Sequence, residues 1–139
     1  MPSHKHLITY TDGGSRGNPG PSAFGYVVKT PDGETIAGHG EYIGVTTNNQ
    51  AEYKGILAAI RKARELGAET LEMRMDSELA VKQLTGEYKV KDAGLATLYL
   101  LIHNEKIALK KVTFKHVRRE YNTEADAQVN KALDRHLKK

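Results

Sequence analysis

The chain has 139 residues, 39% of them apolar and 27% charged, a size and composition that suit one globular domain over residues 1–139 and exclude a disordered or low-complexity chain. It contains no cysteine, so a disulfide framework and a thiolate zinc site are both excluded. Lys and Arg number 21 against 17 Asp and Glu, a net charge of +4 with a pI near 9.2, which suits a polyanionic partner without demanding one. No apolar run is long enough to span a bilayer, and the opening MPSHKHLITY lacks the apolar stretch of a secretory signal. The expectation is a cytoplasmic protein with no membrane partner.

In chain order, HLITYT is short, β-branched and followed by Gly-rich sequence, which predicts a first strand ending at Asp12. AFGYVVKT and ETIAGHGEYIG predict two further strands, joined through the turn signal PDG as a hairpin. From Asn49 the period changes: Tyr53, Ile56, Leu57, Ile60, Ala63 and Leu66 recur at helical spacing, with Gly67 as the stop. TLEMRMD alternates as a fourth strand ending at Asp76, and SELAVKQL reads as a short helix closed by Gly86. Residues 95–109 predict another helix, VTFKHV a fifth strand, and TEADAQVNKALDRHL a final helix. This order predicts an α/β fold: three antiparallel strands, then parallel strands brought in by right-handed helical crossovers.

Asp12 and Asp76 then stand at the carboxyl ends of two strands, the usual place for ligand sites in open α/β sheets. Glu52 and Asp126 lie in the first turns of two helices that can point at the same edge. Four crowded acids repel one another unless a cation lies among them, and an all-oxygen donor set suits Mg²⁺ or Mn²⁺. Each acid alone also fits a modest duty. Glu52 and Asp126 fall three residues after Asn49 and Thr123, as in a capping box; Asp76 fits an N-cap; Asp12 fits a turn beside Gly13. The stretch Gly14–Gly17 has the GXXG form of a KH clamp, but that clamp joins helices, and strands flank this one.

The stretches YTDGGSRGNPGPSAFGYVV, TTNNQAEYKGILAAI, MDSELAVKQLTGEYKVKD and HVRREYNTEADAQVNKALD together resemble type 1 ribonuclease H, in that family's order and spacing. The resemblance implies a ribonuclease H-like fold, a five-stranded mixed sheet with helices on both faces. It also implies a monomeric endoribonuclease that cuts the RNA strand of RNA–DNA hybrids, leaving 3′-hydroxyl and 5′-phosphate ends by a two-metal-ion mechanism. The alternative is a catalytically silent module that binds hybrid or double-stranded RNA.

By the same resemblance, Asp12, Glu52, Asp76 and Asp126 hold two Mg²⁺ or Mn²⁺ ions. Gly13, Gly14, Ser15 and Asn18 approach the minor groove beside the RNA, Asn48 and Glu52 meet 2′-hydroxyls, and Thr47 and Asn49 grip a DNA phosphate. Glu78 stands where many relatives carry a glutamine that donates to RNA; an ionised carboxylate only accepts, so its contact is expected to be weak or turned away. Many bacterial members carry a histidine loop before the fourth acid. Here VRREYNTEAD has none, and Arg118, Arg119 and Asn122 are candidates for a phosphate-binding or turnover role. His116 reads as packed within its strand. A basic, Trp-bearing handle is missing, since Lys82, Lys89 and Lys91 are the only basic residues between Ser77 and Asn104.

Overall fold

The computed structural model describes residues 5–137. Strands β1 (His6–Ser15), β2 (Gly20–Lys29) and β3 (Thr35–Thr46) are followed by helix α1 (Asn48–Glu65), then β4 (Thr70–Met75), α2 (Glu78–Leu84), α3 (Ala93–Ile107), β5 (Lys111–His116) and α4 (Thr123–Leu137). A 3₁₀ turn at Arg119–Tyr121 leads into α4. The sheet order is β3-β2-β1-β4-β5, with β1–β2 and β2–β3 antiparallel and β1–β4 and β4–β5 parallel, as the element order predicts. No described helix is long and apolar enough to cross a membrane.

The helices divide between the two faces. Leu7 from β1 and Leu71, Met73 and Met75 from β4 alternate into one face, where Tyr53, Ile56 and Ile60 of α1 meet them together with Leu95 and Ile102 of α3. Each fully buried aliphatic chain there contributes about 1.5–3 kcal/mol. On the other face Val129, Ala132 and Leu133 of α4 pack on Ala23 of β2. Helix α4 lies unusually close: a Cβ at Gly40 would sit 2.2 Å from the Gln128 carbonyl oxygen, and one at Gly25 would sit 2.6 Å from that of Ala125.

Several boundaries move from their predicted places. β1 does not stop at Asp12 but runs on through Gly13 and Gly14 to Ser15, paired with β2 as far as Ser15↔Ser22. β4 accompanies β1 only to the pair Thr11↔Met75. From Asp12 to Ser15 β1 is therefore paired on one side alone, and the sheet opens a notch there. Helix α1 starts one residue before Asn49 and is capped by the Thr47 side chain, which accepts from the Gln50 N–H; Glu52 is thus beyond the capping-box position. α2 is capped by Ser77 rather than Asp76, and α3 begins at Ala93 under an Asp92 cap. His116 is exposed at the end of β5, not packed. Only residues 85–92 join α2 to α3, which leaves no room for an inserted helical handle.

The two glycines after Asp12 differ in kind. A Cβ at Gly13 would lie 2.3 Å from the Ala51 carbonyl carbon and 2.3 Å from the Glu52 nitrogen, so the α1 backbone occupies that space. A Cβ at Gly14 would meet nothing nearer than Val129 Cγ1 at 3.9 Å. Gly13→Ala is expected to lower unfolding free energy by at least about 2 kcal/mol through overpacking, whereas Gly14→Ala should stay within about 0.5 kcal/mol of the parent. Chemical denaturation of the two variants measures both values; equal stability would contradict the packing described here.

Candidate active site

The notch at the end of β1 collects the predicted acids. Asp12 enters from β1, Asp76 from the first residue past β4, and Glu52 from the second turn of α1, held there by the close contact over Gly13. One carboxylate oxygen from each of Asp12, Glu52 and Asp76 lies within 4.8 Å of the others. Asp126, in the first turn of α4, lines the same cleft, close enough for its carboxylate to raise the pKa of Asp12. None of the four points away.

The cleft has a volume of about 290 Å³. Besides the four acids it is lined by Gly13, Gly14, Ser15, Asn48 and Arg119, all expected from sequence. Arg16, Val129, Asn130 and Leu133 line it as well and were not anticipated. Asn130 donates its Nδ2 to Asp126 Oδ2 at 3.2 Å, one turn further along α4, a contact the Asp-x-x-x-Asn spacing would have suggested. Arg16 is paired with Asp134 at 2.6 Å, across 118 residues of chain, and no local pattern signals that pairing.

The electrostatics follow from crowding in partial burial. Desolvation is the largest influence on Asp12; the charges of Asp76, Glu52 and Asp126 act in the same direction, and together they lift its pKa to about 8. Glu52 is lifted to about 7, first by desolvation and then by Asp76, while a hydrogen bond from Ser77 and the Arg119 charge pull the other way. The cation-free cluster therefore retains protons at neutral pH, and a hard divalent cation that replaced them would relieve both the repulsion and the lost solvation.

Around the acids, two amides are held in fixed orientations. Asn48 Oδ1 accepts from the Ser15 N–H at 2.7 Å, and Asn18 Oδ1 accepts from the Asn48 N–H at 3.1 Å. With both oxygens engaged, the Nδ2 groups remain available as donors. Beneath them, the hydroxyls of Ser15 and Ser22 lie 2.5 Å from one another and each 3.1 Å from the Thr46 carbonyl, a network that ties β1, β2 and the entry to α1 together. The first turn of α1 is less open to anions than its sequence suggested. The Asn48 N–H is taken by Asn18 and that of Gln50 by Thr47, which leaves the exposed Asn49 to offer its own N–H.

The remaining candidates divide. Asn18, Thr47 and Asn49 lie outside the cleft; Asn18 braces the lining residue Asn48, and Thr47 caps α1 through the Gln50 N–H. Glu78 lies outside the cleft and pairs with Lys82 at 3.6 Å. Arg119 lines the cleft, but Arg118 is 81% exposed and pairs with Glu120 at 3.6 Å. Asn122 is a correction. It is only 1% exposed and donates Nδ2 to the Thr11 carbonyl at 2.8 Å, so a buried side chain cannot take the phosphate contact assigned to it.

Comparison with known proteins places this site in context. The family described as reverse transcriptase-like matches residues 10–132. A ribonuclease HI of Halobacterium salinarum is 42% identical over 125 residues, 90% of this chain and 63% of that protein. The crystal structure of RNase H1 from the same archaeon aligns with a TM-score of 0.91 at 41% identity, covering 94% of this chain and 98% of that one. The N-terminal RNase H domain of rv2228c from Mycobacterium tuberculosis aligns with a TM-score of 0.90 at 40% identity, covering 93% and 99%. LC11-RNase H1, isolated from compost and solved in complex with an RNA/DNA hybrid, aligns with a TM-score of 0.91 at 41% identity, covering 94% and 99%. The chain spans less than two thirds of the curated relatives' own length, 63% of the Halobacterium protein and 35% of the bifunctional protein Rv2228c. In sheet order, in the converging acids and in sequence over nearly all its length, the chain belongs to the type 1 ribonuclease H family.

Proposed function

We propose that this protein is an endoribonuclease that hydrolyses the RNA strand of RNA–DNA hybrids, acting as a monomer with two Mg²⁺ or Mn²⁺ ions. The observation that carries the proposal is the convergence of Asp12, Glu52 and Asp76, with Asp126 beside Asp12, in one cleft. A relative of 41% identity that binds an RNA/DNA hybrid supports the substrate class. A module that only bound nucleic acid would gain nothing from four carboxylates facing a phosphate backbone.

Asp12, Glu52 and Asp76 would hold the cations through their oxygens, with Asp126 as the fourth ligand. Bound there, divalent ions supply an activated water and offset the charge that develops on the leaving 3′-oxygen. The protein itself supplies position and fixed charge. Arg119 at the rim presents a cation to the strand near the scissile phosphate. The donor amides of Asn48 and Asn18 and the accessible backbone at Gly14 suit a sugar edge rich in 2′-hydroxyl acceptors, which distinguishes RNA from DNA. Asn49, with its free N–H, and Thr47 suit a phosphate of the complementary DNA strand.

The direct test incubates RNA–DNA, RNA–RNA and DNA–DNA duplexes of one sequence with Mg²⁺, Mn²⁺ or chelator. Internal cleavage of the hybrid's RNA strand, dependent on the metal, is expected; binding without cleavage in Mn²⁺ would refute the enzyme assignment. Asp12→Asn should reduce hybrid cleavage by more than about 100-fold while the fold is kept.

The raised acids also make stability depend on pH. Asp12 and Glu52 start from ordinary values of 3.8 and 4.5 and stand near 8 and 7 in the cation-free fold. Their protonated forms favour the fold, so this contribution is full below the lower pair of values and is lost as pH rises through the upper pair. Without metal, the melting temperature of the parent should fall relative to that of Asp12→Asn between about pH 5 and about pH 9, and Mg²⁺ should raise it most at the alkaline end. Parallel melting curves for parent and variant across that range would contradict the assigned crowding.

A further inference from the structure

Among the buried polar side chains, Ser22 is engaged in the Thr46 network and Gln83 with the Tyr53 hydroxyl, while Thr9 Oγ1 is buried without a partner among the described residues. Asn122 stands apart because it is buried at the margin of the acid cluster. Its Nδ2 donates to the carbonyl of Thr11, the residue before Asp12, at 2.8 Å. Its own carbonyl accepts from the Asp126 N–H at 3.1 Å, and its N–H donates to the Arg119 carbonyl at 2.9 Å. One residue thus links the backbone beside Asp12, the first turn of α4 that carries Asp126, and the turn that carries Arg119.

The orientation of this amide is fixed by its donor. Turned over, it would set oxygen against the Thr11 carbonyl oxygen; as it stands, Asn122 Oδ1 is buried without a hydrogen-bond partner among the described residues. Leaving an acceptor unmet is unfavourable, so the contact to Thr11 is kept in spite of it. Helix α4 rests on β2 and β3 through Ala125 and Gln128, which lie over Gly25 and Gly40, and through the Lys29–Glu124 ion pair at 2.6 Å; the hydrogen bond from Asn122 ties its start to β1, the strand that carries Asp12. An aspartate here would lose the donor and add a negative charge beside four others; an apolar residue would leave the Thr11 carbonyl unpaired.

We infer that Asn122 is a positioning residue, which sets the spacing of Asp126 from Asp12 and thereby how tightly the cluster holds its cation, without touching the substrate. The inference rests on the hydrolytic reading of the same cleft.

The test compares the parent with Asn122→Ala and Asn122→Asp. Hybrid cleavage is followed over a range of Mg²⁺ and substrate concentrations, and the Mg²⁺-induced rise in melting temperature is measured without substrate. Both variants are expected to lose about 10- to 100-fold in kcat or in apparent Mg²⁺ affinity, with KM for the hybrid within about twofold of the parent. The Mg²⁺-induced stabilisation should shrink in step. Unchanged metal dependence and kcat in a folded variant would overturn the inference, as would a rise in KM alone, which marks a substrate contact. If neither variant folds, Asn122→Ser keeps a small donor and is judged by the same split. A parent that cuts no hybrid would defeat the hydrolytic reading, and the metal-induced melting shift would still decide the role of Asn122.

Discussion

The site depends on a backbone-to-backbone contact. The α1 chain at Ala51 and Glu52 lies where a side chain on Gly13 would be, and no residue larger than glycine leaves that space open. Because Gly13 directly follows Asp12, and Glu52 is itself part of the contact, the packing that seats α1 on the sheet also brings two carboxylates together. The parting of β1 and β4 after Thr11↔Met75 adds the third from the other side. Close packing and charge convergence are here one feature of the fold.

That convergence opposes folding in the absence of a cation. Partial burial removes solvent from Asp12 and Glu52, and their neighbours share the same sign of charge. The fold tolerates this because the strain is confined to one end of the sheet, while the opposite end and the helix faces are conventionally apolar. Such an arrangement couples cation binding to both stability and chemistry, since the cation that completes the charge balance also activates the reaction. Around it, the polar groups are braced rather than free: Asn48 by Ser15, Asp126 by Asn130, and the start of α4 by Asn122.

Much of this was legible in the chain. The β-branched runs and the shift to helical period placed the elements in order, and Asp76 just past a strand and Asp126 in the first turn of a helix stand where the pattern put them, whereas Asp12 lies within β1 and Glu52 in the second turn of α1. What escaped was whatever depends on a distant partner. Gly13 and Gly14 read alike in sequence, as a loop, yet one underlies a helix and the other faces open space, because only the first has α1 above it. The helix start moved to Asn48 because Thr47 won the cap over Asn49, in a run where several residues are competent to cap. Asn122 looked like a polar loop residue beside two arginines; its burial is set by a carbonyl 111 residues away. Arg16 was hidden for the same reason, since Asp134 lies on the last helix.

The central claim is that an acid cluster, strained without metal, is relieved by a divalent cation. It is tested most directly by carboxyl-carbon NMR titration of Asp12 and Glu52 with and without Mg²⁺. The account predicts titration well above the ordinary carboxylate range in the metal-free protein, near 8 and 7, and a marked fall when Mg²⁺ is added. Ordinary values near 4 in the metal-free protein, or a titration that Mg²⁺ leaves unmoved, would contradict it.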